Sequence, residues 1–302
     1  MEDEATTRFR LDIAYQGTDF NGWTRQPHQR TVQGELEDAL ATIFRRHGPA
    51  PTLTVAGRTD AGVHAAGQVA HVDLTQDQVA SLLRARGKTQ RTDDAGAALA
   101  RRVNGILGSV PDIVVSRCML APPGFDARFS AIWRRYRYRI ADQLSARDPL
   151  QHHRTVWVPV SLDVDAMDAA AESLVGLHDF AAYCRPREGA TTIRTLQQFS
   201  WTRDDDGVLV GDVQADAFCR SMVRALVGAC VGVGEGKLAV TDAVLLRDLG
   251  SRSSAFKVMP ARGLTLVEVG YPGDAELAQR AEQTRAIRSL DIELGQRHSD
   301  SV

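Results

Sequence analysis

Apolar and polar positions fall into a pattern that occurs twice along the chain. Phe9, Leu11, Ile13 and Tyr15 alternate with mostly polar residues, which predicts a strand with one buried face. Val32, Leu36, Ala39, Leu40, Ile43 and Phe44 then recur at helical spacing, with Thr31 placed as N-cap and Gly48-Pro49 as the stop. Strands near 52–56 and 67–73, a helix near 97–107 and a strand near 112–117 complete a β-α-β-β-α-β order. That is the order of the split βαβ, or ferredoxin-like, unit. It returns as a strand near 134–140 and a helix near 163–175, then strands near 192–201 and 208–215 around Asp204-Asp205-Asp206-Gly207. A helix near 218–233 and a strand near 264–270 close the second unit. The expected fold is α+β: two ferredoxin-like halves, 1–120 and 121–273, sharing a mixed, mostly antiparallel sheet with a cleft where they meet. Residues 274–302 form a peripheral tail of helical character, 84–98 a polar and mobile insertion, and 1–6 a frayed end.

Composition narrows the class. The chain has 302 residues, 43% hydrophobic and 25% charged, which is the profile of a globular protein with room for two cores. No apolar run approaches membrane-spanning length, and the acidic start Met1-Glu2-Asp3-Glu4 is unlike a secretory signal. Cys118, Cys184, Cys219 and Cys230 show no CxxC spacing and read as reduced, buried thiols of a cytoplasmic protein. A net charge of −2 and a pI near 6.5 argue against indiscriminate coating of nucleic acid. Locally the balance differs. From Ala127 to Arg154 there are seven arginines against two aspartates, a net of +5, with Phe129, Trp133, Tyr136 and Tyr138 threaded among them. Arginine supplies phosphate contacts and aromatic rings supply stacking surfaces, although a solvated strand gives the same pattern.

The stretch Ala56-Gly57-Arg58-Thr59-Asp60-Ala61-Gly62-Val63-His64-Ala65 carries the chemistry. Glycines on both sides of Asp60 let the backbone turn tightly and a bulky ligand approach. A neighbouring guanidinium can hold the carboxylate ionised, as a nucleophile requires. A polar turn with Asp60 bonded to its own backbone is the plainer account of the same residues. His64, His71 and Asp73 near Asp60 also admit a metal-dependent hydrolase, but the spacing crosses a glycine loop and no second cluster completes a ligand set. A non-catalytic RNA-binding module is the remaining alternative, and it lacks the aromatic motif such modules display on their sheets.

The whole ten-residue string closely resembles the motif around the catalytic aspartate of the TruA-type tRNA pseudouridine synthases. The resemblance extends over most of the chain. Residues 14–26, followed by Thr31-Val32-Gln33, resemble the family's opening segment. Phe125-Asp126-Ala127-Arg128-Phe129-Ser130 and Arg134-Arg135-Tyr136-Arg137-Tyr138 resemble its central motifs, and residues 217–224 its late helix. Thr24, Asp126 and Cys219 stand where the family usually or often has Gln, His and Leu.

The resemblance implies an RNA cleft between the halves, a homodimer, no cofactor and no metal, and action on uridines 38, 39 and 40 of the tRNA anticodon stem-loop. It assigns Asp60 as the nucleophile and Arg224 as its cationic partner. Tyr136 is to stack on the extruded uracil and relay a proton, and Arg58 is to take the place of the flipped base. Phe125, Arg128, Arg134 and Arg135 join Tyr136 and Arg58 as substrate contacts. Whether Asp60 attacks ring carbon 6, attacks C1′ or assists an elimination stays open.

Overall fold

The alternation that marks the first strand also fixes which face of it is buried. In β1 (Thr6–Tyr15) the side chains of Phe9, Leu11, Ile13 and Tyr15 all lie in the core. The computed structural model describes residues 5–84, 94–108, 112–185, 191–251 and 254–285. These divide into two units, with boundaries after 131 and 270 and with 271–283 belonging to the first.

In the first unit β1 leads to α1 (Val32–Phe44), where the Thr31 hydroxyl accepts from the Gly34 amide at 3.2 Å, so the N-cap stands where the sequence placed it. β2 (Leu53–Val55) and β3 (His64–Thr75) follow. Next comes α2 (Gln76–Leu83), opened by a reciprocal capping box between Thr75 and Gln78. α3 (Ala95–Leu107) and β4 (Ile113–Leu120) close the unit. The strands pair antiparallel in the order β4-β1-β3-β2, the arrangement of a ferredoxin-like sheet, and α3 packs against α1 and β4. α2 is absent from the sequence reading because its eight residues lie beside the polar insertion; residues 85–93 of that insertion lie outside the described chain, and 95–98, expected to be mobile, form the first turn of α3 instead.

The second unit repeats the plan. Its elements are β5 (Trp133–Ala141), the short β6 (Val156–Trp157), α4 (Val164–Glu172), β7 (Gly176–Asp179), β8 (Ile193–Arg203) and β9 (Leu209–Ala215). α5 (Met222–Gly234), α6 (Asp242–Asp248) and β10 (Leu264–Gly270) follow. The order β10-β5-β9-β8 matches that of the first unit, with β7 added at the edge beyond β8 and β6 running parallel to β5. The protein is α+β, with mixed, mostly antiparallel pairing. α4 packs on β8 and α5. α5 is apolar nearly all round and correspondingly buried, and a Cβ on its Gly228 would fall on the Lys257 carbonyl. α7 (Leu277–Arg285) begins the tail; its Leu277 carbonyl accepts from Ser130 Oγ at 3.0 Å in the first unit.

One expectation is corrected. Cys184 and Cys219 are paired as a disulfide, with Cα atoms 5.7 Å apart, rather than standing as separate thiols. They are 35 residues apart, and only the return of the chain after β9 past the end of the 181–183 turn brings them together. Cys118 and Cys230 are free and buried, and burial pushes both thiols up to about 12.

Candidate active site

The Asp60 loop joins β2 to β3 and is held by backbone bonds on both sides. Ala56 N–H donates to Val69 O at 2.8 Å, and Gln68 Nε2 donates to Gly57 O at 2.8 Å. Thr59 Oγ1 lies 2.7 Å from the Tyr15 hydroxyl, which also accepts from Gln68 Nε2 at 3.2 Å. Burial pushes that phenol up to about 12, so it stays protonated while bridging the loop to the sheet. Val63 N–H closes a turn onto Asp60 O at 3.2 Å, and Gly62 takes the positive φ of +77° that this turn uses. Asp60 itself is half-buried and Arg58 is exposed.

A second loop from the end of β1 cradles the first. Trp23 N–H donates to Thr59 O at 3.1 Å, and Gly62 N–H to Phe20 O at 3.2 Å. Gly22, at φ +89°, comes so close that a Cβ there would sit 2.9 Å from Thr59 O and 3.2 Å from the Asp60 carbonyl carbon. Gly17 donates its amide to His64 Nδ1 at 2.9 Å, and a Cβ on it would fall on the Val63 carbonyl. Sequence reasoning missed these supports. Gly17 and Gly22 lay in a quoted motif, but a residue without a side chain carries no chemical signal of its own.

The histidines that admitted a metal reading have structural partners. His64 accepts from Gly17, and His71 Nδ1 accepts from Ala127 N–H at 3.0 Å. Burial, with the Arg8 charge beside it, pushes the His71 imidazole down toward its neutral form. Asp73 is gripped by Arg8 through two 2.7 Å bonds, and the Arg8 guanidinium holds its carboxyl below the usual range.

Of the expected substrate contacts in this unit, Arg128 is exposed and lies 5.0 Å over the Phe129 ring. Asp126 Oδ1 shapes that turn by accepting from the Arg128 and Phe129 amides at 2.8 and 2.9 Å. Phe125 is buried, its ring 5.0 Å from Tyr271 and 5.7 Å below the Arg10 guanidinium.

In the second unit Tyr136 sits on the central strand β5, opposite Leu266 of β10 and Val213 of β9. It is 7% exposed, and Phe218 meets its ring edge-to-face at 5.2 Å. Tyr138, two residues on, is fully buried; its hydroxyl donates to Pro260 O at 2.7 Å, and burial pushes its pKa well up. Arg134 is buried and donates to Asp216 O at 2.7 Å.

The local positive charge read from the sequence is partly offset across the sheet. Arg135 bonds Gln214 at 2.8 and 3.0 Å and meets Glu268 at 3.2 Å, Arg137 meets Asp212 at 2.9 Å, and Arg139 meets Asp204 at 3.2 Å. The acids come from β8–β9 and β10, so a count confined to residues 127–154 omits them. Arg224 lies in the first turn of α5, half-buried, with Nε 2.6 Å from Met259 O.

Residues 170–272 match the family model described as tRNA pseudouridine synthase. A protein of Leifsonia xyli subsp. xyli, tRNA pseudouridine synthase A, is 71% identical over 96% of this chain and 100% of its own length. The proteins of that name from Frankia casuarinae and Mycobacterium leprae are 54% and 48% identical, over 94% and 93% of this chain and 97% and 96% of theirs. On the strength of full-length identity at this level, the chain belongs to the tRNA pseudouridine synthase A family.

Proposed function

We propose that the chain isomerises uridines 38, 39 and 40 of the tRNA anticodon stem-loop to pseudouridine, with Asp60 as the reacting carboxylate. Pseudouridine formation in tRNA rests on the family; the three positions and the roles of individual residues belong to the proposal. The observation that carries it is the build of the Asp60 loop. A half-buried carboxylate is presented on a backbone bonded from β1, β3 and the 17–23 loop, while its neighbour Arg58 reaches solvent. A reacting group gains most from such fixed placement.

The reaction breaks the bond from uracil N1 to C1′, turns the base and joins C5 to C1′. C5 gives up its proton and N1 gains one, so nothing is oxidised or added. In this reading Asp60 acts at the base or at C1′, Arg224 is its cationic partner, and Tyr136 stacks on the extruded base and relays the C5 proton. Arg58 fills the gap left by the flipped base, and Arg128 and Arg135 contact backbone phosphates. Phe125 and Arg134, both buried, serve by fixing the 124–130 turn and the 216–221 segment. A cytoplasmic homodimer completes the reading. The test is pseudouridine mapping on unmodified tRNA transcripts carrying uridine singly at 38, 39 or 40. Product at those positions and none in a transcript with cytidine at all three is expected; product elsewhere would overturn the positional claim.

A further inference from the structure

Pseudouridine chemistry makes no use of a cysteine pair, yet the second unit holds one beside its central tyrosine. Cys184 follows the 181–183 turn, and Cys219 lies in the segment that leads from β9 into α5. Their Cα atoms are 5.7 Å apart, inside the roughly 4.4–6.8 Å that a disulfide spans without backbone movement. The Arg185 amide donates to Arg220 O at 2.9 Å, so the two segments are already registered against each other. Cys184 stands on a fixed base: the Tyr183 hydroxyl donates to Ala243 O at 2.7 Å, and its ring stacks on Phe256 at 5.2 Å. Cys184 is 1% exposed, whereas Cys219 is partly exposed and is the thiol an oxidant meets first.

We propose that Cys184 and Cys219 form a reversible thiol–disulfide modification site, oxidised by peroxide, that slows base capture at Tyr136. Peroxide oxygen bonds to the Cys219 sulfur as its O–O bond breaks, leaving a sulfenic acid and one water. The Cys184 sulfur then attacks that sulfur; the S–S bond forms, the S–O bond breaks and a second water leaves. Two thiols are oxidised and one peroxide is reduced to two waters, and an added dithiol reverses the step by exchange.

The connection to the site runs through Phe218, next to Cys219. Segment 216–221 is fixed at its start, where Asp216 O accepts from Arg134 and Asp216 Oδ1 from the Thr195 amide at 3.2 Å. At its end Ser221 takes φ +63°, a conformation uncommon for a residue with a side chain. Phe218 and Cys219 lie between these anchors. A uracil stacked on Tyr136 must share that ring with Phe218, 5.2 Å away, so pinning Cys219 limits the yielding of Phe218. This part rests on the reading of Tyr136 as the stacking residue.

The experiment uses the full chain, either reduced with dithiothreitol or oxidised with hydrogen peroxide and then cleared with catalase. Peptide mass spectrometry reads the cross-link, and single-turnover pseudouridine formation on a tRNA transcript reads the rate. The expected result is a Cys184–Cys219 linked peptide, two hydrogens lighter than its parts, with a severalfold slower rate that dithiothreitol restores. Cys219→Ser should keep the reduced rate and lose the response; Cys184→Ser should do the same if it folds. No linked peptide, a linked peptide with unchanged rate, or an equal peroxide response in Cys219→Ser would each overturn the proposal. Reduced wild type that makes no pseudouridine would instead overturn the functional reading, and the peptide readout would still decide whether the modification occurs.

Discussion

Tyr136 and Tyr138 point to the same side of one strand, and their surroundings separate them. Tyr138 spends its hydroxyl on Pro260 O and its ring on Gly263, where a Cβ would sit 2.6 Å from the ring. Tyr136 meets Phe218 edge-on. Tyr138→Phe should therefore cost about 1 kcal/mol of stability through the lost hydrogen bond and leave the single-turnover rate unchanged. Tyr136→Phe should melt like wild type and turn over ~10²-fold more slowly, as loss of a proton relay predicts. Denaturant melts and single-turnover kinetics check both, and a slow Tyr138→Phe would show that the wrong tyrosine is assigned. At this scale the sequence pointed to Asp60, Tyr136 and Arg224 by the chemistry of their side chains, which is the basis of the roles proposed for them. It could not show that Phe125 and Arg134 are buried, because an aromatic or basic side chain in a motif looks the same inside or out. Nor could it show the Tyr15–Thr59–Gln68 bonds, which join residues 44 and 53 positions apart.

Elements formed largely where their periodicity said they would, since each buries one face against its neighbours. β10 matches its expected span, β9 differs by one residue at its start, and β5 is one residue longer at each end. α2, α6, β6 and β7 went unread: α2 lies beside a polar stretch, α6 has only seven residues, and β6 and β7 are too short to show alternation. Two predictions belong here. Gly22→Ala places a Cβ against the Asp60 backbone at a positive φ, so it should cut single-turnover activity by tenfold or more while the circular dichroism spectrum stays native. Full activity in that variant would mean the loop contact is slack.

The second concerns the hairpin ends after β5 and β8. Burial alone would raise the Asp142 carboxyl, but bidentate bonds from Arg203 at 2.9 Å, the Leu162 and Leu144 amides and the Ser145 hydroxyl hold it at about 2. An unfolded aspartate titrates near 3.9, so this group stabilises the fold fully above about pH 4 and loses that contribution as pH falls toward 2. The contribution is roughly 2 kcal/mol. Asp142→Asn should be less stable at pH 5 and lose less stability than wild type between pH 5 and 2.5, as read from urea midpoints. Parallel losses in the two proteins would contradict the assignment.

For the whole molecule, the repeated β-α-β-β-α-β order was legible because the strands of each half pair with one another in the same order and bury one apolar face. The order β4-β1-β3-β2 in one unit and β10-β5-β9-β8 in the other is that repeat in three dimensions. Charge was less legible at this scale, since the acids facing Arg135, Arg137 and Arg139 are brought from distant strands. The cysteine pairing was hidden for the same reason. The functional claim gathers onto one carboxylate, and Asp60→Asn isolates it, keeping size and hydrogen bonding while removing the charge. The decisive measurement is single-turnover pseudouridine formation on an unmodified tRNA transcript, run beside a binding titration on the same protein. No detectable pseudouridine is expected, with tRNA affinity within about tenfold of wild type, because Asp60 acts on the reacting atoms and not in RNA binding. Turnover by Asp60→Asn, in a preparation free of wild-type enzyme, would contradict the functional claim.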